Sequence, residues 1–457
     1  MTFQIEFSAS DDVTKALVEL GRTEDVKFSP DNRRLAIAGF IENKILIVDS
    51  CIEETTIRKR VTLSNCITIT SPSLRSPHGL SFIDNQTLIV VNRDGEAAIL
   101  KLPQVSDGES IFELSALQTI HANEVQLLKA PGSVTASRIG LDLYEVLICN
   151  NSSHTVTRHI LDAQEKFRAI RNEVLLQKGL AIPDGIAVNS DMSWIAVSNH
   201  NTHNVLMFRN DSTLDPSSEP AGILSNLSYP HGVCFTPNNN FVLVADAAAP
   251  YVHLYAKTRG DWKGKRDPIA SIRTMDDEIF LRERINPEEG GPKGLDIANN
   301  MTVFVTTCQH QPLAFFDLKK ILYKEVGHEE KCVPYGDQSV PVVVSSHEEL
   351  SLDTRRSREV LIRVLLQVDA RINSEKAEKD AAYSKQLQSI YQSRSWKITV
   401  RLRWAYSLLR TLRQKIKCIL FRGSFARARE HITISSVPEQ RSGAEWMLRK
   451  PPDESPK

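Results

Sequence analysis

The sequence predicts an all-β fold: a six-bladed β-propeller of four-stranded antiparallel blades, followed by an α-helical C-terminal extension. One observation is a Pro-x-Gly-hydrophobic segment that recurs along the chain, as in Pro77-His78-Gly79-Leu80. Another is the spacing of the repeats, which lie 54, 54, 52, 47 and 62 residues apart and start at Thr23, Pro77, Pro131, Pro183, Pro230 and Pro292. Repeats of this length with about four strands each are typical of propeller blades.

Each repeat has the same internal order. An apolar run ends near an Asn or Asp, as at Val197-Ser198-Asn199, and a second apolar run follows six residues later, here at Val205. A lone blade of four strands cannot bury both faces, so six blades must stack radially and the ring must close. We expect residues 15–20 to supply the outer strand of the sixth blade. The alternative closing strand is 340–345, and both can contribute.

Composition favours a soluble cytoplasmic protein. The chain has 457 residues and an apolar fraction of 41%, which leaves room for one large domain and an appendage. Its first residues lack a secretory pattern, and no run of about 18 apolar residues occurs. The seven cysteines are scattered without a C-x-x-C pair, as expected for reduced thiols.

The formal net charge of zero hides a strong asymmetry. Residues 394–429 contain eleven Lys or Arg and no Asp or Glu, so the remaining chain has 45 basic residues against 56 acidic ones. Together with the change in composition near residue 345, this predicts four segments. They are a propeller (1–345), a charged helix (346–393), a basic amphipathic helical tail (394–429) and a disordered end (430–457).

In the basic tail, apolar residues recur every four positions from Trp404, and the basic side chains fall largely on the other side. Such a helix suits either an anionic membrane surface, here the inner face of the membrane, or a protein partner. The predicted contact residues are Trp404, Arg403, Arg410, Arg413 and Lys417. Nucleic acid is disfavoured because no aromatic residues are interleaved with base-reading side chains.

The middle position of the Pro-x-Gly segment predicts a functional ring. Each of these residues occupies the same point of an innermost strand, so their side chains should converge near the mouth of the channel. Imidazole nitrogens and carboxylate oxygens that converge from separate strands can hold a divalent cation. The alternative is that each residue pairs with neighbouring groups in a wet channel. The six residues are Glu24, His78, Gly132, Asp184, His231 and Lys293.

Residues 15–320 resemble the NHL-repeat and gluconolactonase-like families in this repeat. In the similar propellers of peptidylglycine lyases, metal-binding histidines occupy Pro-His-x positions such as His78 and His231. In gluconolactonase-like enzymes, acidic or amide residues at places comparable to Glu24 and Asp184 hold calcium-type ions. This chain departs from both patterns, because Gly132 leaves a third histidine missing and because imidazoles are mixed with carboxylates.

We therefore predict that His78, His231, Asp184 and Glu24 bind one divalent ion, zinc or calcium, and we predict no other cofactor. Whichever of Glu24 and Asp184 is not a ligand would act as the catalytic base on a lactone or a sugar-derived ester. Lys293 lies beside Glu24 around the ring, where it could neutralise that carboxylate or contact a ligand.

A second ring is formed by polar residues at strand ends. Their amide and carboxylate groups match sugar hydroxyls, which predicts ligand contact; the alternative is that they satisfy local backbone groups at turns. These residues are Asn92, Asn150, Asn199 and Asp246. The histidines of the nearby loop, His200 and His203, are interpreted as solvated, and a role as ligands is the alternative.

Residues 393–404 resemble a short Ser-Trp-Arg/Lys-hydrophobic-Thr-x-x-Leu-Arg segment at the ends of many bacterial surface-polysaccharide glycosyltransferases and their companion proteins. The resemblance implies a bacterial protein that accompanies such an enzyme. It does not imply transferase chemistry, because the chain lacks an Asp-x-Asp pair for a nucleotide-sugar metal.

The sequence leaves two functions open. The first is a binding or scaffold propeller with a protein or glycan ligand, associated with surface-polysaccharide assembly and tethered by its tail to the membrane or to a glycosyltransferase partner. The second is a metal-dependent lactonase-like hydrolase, or a lyase, that acts at the channel.

Overall fold

The computed structural model describes residues 3–55, 59–103, 110–121, 127–284 and 288–326. These residues form six small, mainly antiparallel sheets, and the innermost strands of the sheets contact one another in a closed circuit. The predicted six-bladed propeller is therefore confirmed. The predicted strand 340–345 and the segments 346–393, 394–429 and 430–457 lie outside the described residues. Within the described part of the chain, no helix is long and apolar enough to cross a membrane.

The first three blades account for the chain up to residue 176. Two short strands and a helix come first: β1 (Gln4–Ile5), β2 (Phe7–Ala9) and α1 (Asp11–Glu19). Blade one contains β3 (Thr23–Phe28), β4 (Arg34–Gly39), β5 (Lys44–Glu54) and β6 (Lys59–Thr70). Blade two contains β7 (Pro77–Asp84), β8 (Thr87–Asn92), β9 (Ala97–Lys101) and, after β10 (Ile111–Glu113), β11 (Gln118–Ile120). Blade three contains β12 (Pro131–Arg138), β13 (Leu143–Asn150), β14 (Thr155–Asp162), a 3₁₀ turn (Ala163–Glu165) and β15 (Arg168–Leu176).

The remaining blades follow the same inner-to-outer order. Blade four contains β16 (Pro183–Val188), β17 (Trp194–Asn199), β18 (Asn204–Arg209) and β19 (Gly222–Leu224). Blade five contains β20 (Pro230–Phe235), β21 (Phe241–Asp246), β22 (Tyr251–Ala256) and, after β23 (Gly264–Arg266), β24 (Ala270–Arg273). Helix α2 (Asp277–Glu283) precedes blade six, which contains β25 (Gly294–Ile297), β26 (Val303–Cys308) and β27 (Gln311–Asp317), followed by α3 (Leu318–Val326).

Three short strands extend the regular blades. Strands β2 and β10 both pair in parallel with β6 and widen blade one. Strand β23 pairs in parallel with β19, the outer strand of blade four. Blades one and four therefore contain more than the predicted four antiparallel strands.

The ring closes at the beginning of the chain. Strand β1 pairs antiparallel with β27, with Gln4 opposite Phe316 and Ile5 opposite Phe315. The prediction that residues 15–20 form this outer strand was wrong, because most of them lie in α1. Val13 and Leu17 are the buried residues of α1, one helical turn apart, and two aspartates occupy its first turn, where a helix favours negative charge.

The hydrophobic core lies between the blades. Buried apolar side chains form six clusters in the described residues, and each cluster draws on two neighbouring blades. The cluster between blades six and one, for example, packs Val305 and Phe315 against Ile37 and Leu46. Each blade thus buries both faces, as radial stacking requires.

The glycine of the Pro-x-Gly segment lets the inner strands approach one another closely. A Cβ atom added to Gly185 would lie 2.0 Å from the carbonyl oxygen of His231, and one added to Gly232 would lie 2.6 Å from that of Lys293. In blades one to five the strand pairing also shifts register at this point, which marks a β-bulge. The close approach narrows the channel and brings side chains of different blades together.

We expect Gly185→Ala to lower the free energy of unfolding by about 1–3 kcal/mol or more, because the new methyl group would overlap a backbone oxygen that cannot move alone. Chemical denaturation of the full chain measures this change. Gly140→Ala is the matched control, because its Cβ atom would meet only ordinary contacts with Leu143 at 3.4 Å or more. Equal stability of the two variants would contradict the packing argument.

Candidate metal centre

The structure brings the ring residues of the sequence analysis together at one end of the channel. Side chains of different blades meet there, and all are buried: Glu24 is 1% exposed, His78 3%, Asp184 0%, His231 6% and Lys293 6%. Gly132 provides the space for this cluster, because a Cβ atom at that position would lie 2.5 Å from Asp184 Oδ1. The metal-binding and catalytic roles of these residues stay predictions.

Two groups of three ligand atoms each lie within 4.8 Å of one another: Glu24, His78 and His231 form one, and Asp184, His200 and His231 form the other. Glu24 Oε2 lies 3.6 Å from His78 Nε2 and 3.7 Å from His231 Nε2, and His231 Nε2 lies 3.0 Å from Asp184 Oδ2. Two ligand atoms at about 2.1 Å from a tetrahedral zinc ion are about 3.4 Å apart. The side chains of each group are therefore spaced as ligands of one ion, and His231 belongs to both groups.

Each of the two carboxylates uses one oxygen and leaves the other without a hydrogen bond. Glu24 Oε1 contacts Arg22 Nε and lies 3.1 Å from Lys293 Nζ. Asp184 Oδ1 accepts from Asn151 Nδ2 at 2.9 Å. The other oxygens, Glu24 Oε2 and Asp184 Oδ2, are buried and have no aligned donor. Burying a charged oxygen in this way is costly unless a cation compensates it, so the donor set fits a metal ion. When no ion is bound, protonated His231 takes that place, because its Nε2 lies 3.0 Å from Asp184 Oδ2 and 3.7 Å from Glu24 Oε2.

His78 is held as a neutral imidazole. Its Nδ1 donates to the carbonyl oxygen of Gly132 at 2.6 Å, which leaves Nε2 as an acceptor, and Nε2 lies 2.5 Å from Arg93 Nη2. Burial and the charge of Arg93 lower the pKa of His78 to about 3. A ring fixed through Nδ1 to a backbone oxygen is the usual arrangement of a metal-binding histidine. A cation at Nε2 would replace Arg93 as the partner of His78.

The other groups are charged. Burial opposes ionisation of Glu24 and Asp184, yet Lys293 and Arg22 hold the pKa of Glu24 far below its usual range, and neighbouring imidazoles do the same for Asp184. Burial lowers the pKa of His231, but the contact with Asp184 outweighs burial and raises that pKa above its usual value. Without a metal ion, His231 is thus the cation between two carboxylates.

Four residues of the site were missed or misjudged from the sequence. Arg93, Asn151 and His200 each directly follow a strand-end Asn, and this repeated position is a signal that the sequence analysis did not use. The interpretation of His200 as solvated was wrong: it is 4% exposed, the centroid of its ring lies 4.1 Å from that of Tyr229, and its Nε2 lies 3.5 Å from Asp184 Oδ2. Glu289, which pairs with Lys293 at 2.8 Å, carried no sequence signal.

The strand-end residues of the second predicted ring bind backbone. Each accepts a hydrogen bond from an amide of the loop that leads into the inner strand of its own blade, at 2.7–3.1 Å. They are at most 1% exposed: Asn92, Asn150, Asn199 and Asp246. These contacts are those of the turn interpretation, and ligand contact by the four side chains remains a prediction. The fifth predicted contact residue, Lys293, is engaged by Glu24 and Glu289. His203 is exposed, and its Nδ1 contacts the carbonyl oxygen of Ser228.

No protein-family model and no curated protein sequence matches this chain. Solved propellers are similar to it in fold. A luciferin-regenerating enzyme has 12% identity over 66% of this chain and 94% of that chain, with a TM-score of 0.43. The Dos1 propeller has 11% identity over 65% and 81%, with a TM-score of 0.40. A 6-phosphogluconolactonase-like protein of Bacteroides fragilis has 14% identity over 64% and 79%, with a TM-score of 0.39.

The lowered pKa of His78 predicts a loss of stability in mild acid. Below about pH 6.5, His78 binds a proton in the unfolded chain but not in the folded chain. The free energy of unfolding therefore falls as the pH falls. For this one group the loss reaches about 2 kcal/mol at pH 5. Denaturation of the chelator-treated full chain between pH 8 and pH 5 should therefore show a steeper decline for wild type than for His78→Gln. Parallel curves would contradict the neutral, buried state of this ring.

Proposed function

We propose that the mouth of the channel binds one divalent cation and that the protein is a metal-dependent hydrolase acting on a lactone or a sugar-derived ester. The observation that carries this proposal is the pair of buried carboxylate oxygens, Glu24 Oε2 and Asp184 Oδ2, that have no hydrogen-bond partner and lie at ligand spacing from imidazole nitrogens. A cluster with a purely structural role would be expected to satisfy both oxygens internally.

The donor set favours zinc, or another first-row divalent ion, over calcium. Calcium takes six to eight oxygen ligands, whereas this site offers two carboxylates beside the imidazoles of His78 and His231. Imidazole with carboxylate is a common zinc set, and three or four protein ligands leave room for a substrate oxygen. Bound here, the ion would polarise a substrate carbonyl and lower the pKa of a water molecule.

The surrounding side chains have separate roles in this proposal. With both carboxylates engaged by the cation, His200 is the residue that accepts the proton of the attacking water, because its Nε2 is buried without a hydrogen bond and faces Asp184. Arg93 is 28% exposed in its side chain, and it donates to the negative charge that develops on the carbonyl oxygen. Arg22 and Lys293 are positioning residues, which fix Glu24 through its other oxygen.

We expect the full chain, purified without chelator, to contain about one zinc ion per molecule and to hydrolyse a simple δ-lactone. The His78→Ala/His231→Ala double variant should lose the metal because two of its ligands are gone. Glu24→Gln should reduce both metal content and hydrolysis at least tenfold, since the amide has lost the charge that binds the ion. Elemental analysis and pH-stat assays measure the two quantities.

His159→Gln is the matched control, because His159 is equally buried but bonds Asn172 and Thr157 in blade three, away from the channel. It should retain metal and activity. A folded wild-type protein without metal, or metal that persists in the double variant, would overturn the proposed centre. Metal without hydrolysis of any ester or lactone would overturn only the activity.

A second candidate function is a binding or scaffold propeller, which the charge asymmetry of the sequence favours. Residues 394–429 carry eleven basic and no acidic residues. In this proposal Trp404, Arg403, Arg410, Arg413 and Lys417 attach the protein to an anionic membrane surface or to a glycosyltransferase, while the propeller binds a protein or glycan.

The tethering proposal predicts that the full chain sediments with vesicles containing phosphatidylglycerol and that deletion of residues 394–429 abolishes this association. Binding should weaken as salt is raised, because exposed charges are screened. Glu24→Gln is the control and should sediment like wild type. Salt-independent sedimentation, or none at all, would overturn the membrane tether, and capture of a glycosyltransferase by the full chain but not by the deletion variant would support the protein alternative.

A further inference from the structure

A cavity of about 370 Å³ opens at the other end of the channel, and all six inner strands line it. Its central ring lies three residues beyond the ring of the candidate metal centre, which is about 10 Å further along a strand. The members of this second ring are Lys27, Ser81, Thr135, Ala187, Cys234 and Asp296. The glycines at which the inner strands approach one another lie between the two rings, so the cavity is separate from the candidate metal centre. These are Gly79, Gly185, Gly232 and Gly294.

The charges of the cavity do not balance. Lys27 Nζ lies 2.8 Å from Asp25 Oδ1 and donates to the carbonyl oxygen of Leu295 at 2.9 Å, so this ammonium is already engaged. Asp296 Oδ2 accepts from the amide of Phe28 at 2.7 Å. Among the described residues, no Lys, Arg or His nitrogen comes within the 4.0 Å of an ion pair with Asp296. Two carboxylates thus stand against one ammonium.

The pKa of Asp296 is consistent with this excess of negative charge. Burial raises the pKa of Asp296 to about 6, and the more distant charge of Lys27 only partly opposes that rise. A carboxyl group in this condition gains from an added positive charge, because a partner cation offsets the cost of burying the ionised form.

We infer that this cavity is a second small-molecule site, and that it takes a small organic cation, a primary amine with an apolar body, with the ammonium on Asp296. The hydroxyl groups of Ser81 and Thr135 lie on the same ring as further polar groups, and Ser81 Oγ already accepts one hydrogen bond from the amide of Ala136 at 3.1 Å. Apolar side chains line the walls around the ring, among them Phe82, Phe235 and Ile297. The volume is at the low end of the range for ligand pockets, so only a small body fits.

An anion fits the cavity less well. Lys27 is the one cationic side chain among the residues that line the cavity. Its ammonium group already donates to Asp25 Oδ1 and to the carbonyl oxygen of Leu295. An anionic ligand would have to take Lys27 from Asp25 and would meet the charge of Asp296. None of these residues belongs to the candidate metal centre, so binding in the cavity does not depend on whether that centre holds an ion.

The test is calorimetric titration of the full chain with benzylamine, and with benzyl alcohol and benzoate as neutral and anionic ligands of the same shape. We expect saturable binding of benzylamine and at least tenfold weaker binding of the other two. Asp296→Asn should weaken benzylamine binding at least tenfold, because it removes the charge but keeps an acceptor for the Phe28 amide. Ala187→Phe should also abolish binding, because it fills the cavity without changing a charge.

Asp31→Asn is the matched control, because Asp31 is an acidic residue near the same end of the channel whose carboxylate bonds Ser29 outside the cavity lining. It should bind benzylamine like wild type. Equal binding of benzyl alcohol, undiminished binding by Asp296→Asn, or no saturable binding of benzylamine would each overturn the proposal. Preferential binding of benzoate would overturn it in favour of an anion site on Lys27.

Discussion

The close approach of neighbouring inner strands, which glycine permits in four of the six blades, is the constraint on which the rest of this molecule depends. At Gly185 and Gly232 the next strand occupies the space that a side chain would need. The six inner strands therefore pack around a narrow axis. Residues 47 to 207 positions apart in the chain, such as Asp184, Glu24 and His231, come within 4 Å of one another there, and the charged groups of Glu24 and Asp184 are buried away from water.

Groups buried in this way are stable only if their charges are compensated. Around the candidate metal centre, three carboxylates (Glu24, Asp184 and Glu289) face the cations Arg22, Arg93, Lys293 and protonated His231, so the negative charges are already matched without an ion. The directions of the hydrogen bonds do not balance, because one oxygen of each channel carboxylate has no donor. At the opposite end of the channel, the hydrogen bonds of Asp25 and Lys27 are satisfied, but the two carboxylates of Asp25 and Asp296 face only the one ammonium group of Lys27. The two ends of one channel thus differ in what a ligand would have to supply.

The six blades could be predicted because their repeat recurs every 47 to 62 residues and because four of its six copies have a glycine that close packing of the inner strands requires. The closing strand could not, because β1 is only two residues long and carries no repeat signal, whereas residues 15–20 precede the first repeat as the outer strands precede the other repeats. The ring of Glu24, His78, Asp184, His231 and Lys293 followed from the equivalence of repeat positions. Arg93 and His200 were missed because the asparagines before them were taken as the functional residues, and these asparagines are buried among backbone amides. No pattern in the sequence distinguishes Asp296. It lacks an ion pair because Lys27 pairs with Asp25 instead, and that contact is visible only in the structure.

The pairing of β1 with β27 has a consequence for how the protein folds. It joins residues more than 300 positions apart, and contacts of such sequence separation form slowly because the intervening chain must first lose its freedom. The blades can each form from local hairpins, so the closing pair should be among the last contacts made. Until then the outer edge of β27 is an unpaired strand edge, open to pairing with other chains. Pairing of β1 with β27 therefore covers this edge, and the chain is prone to aggregate through it only until that pairing forms.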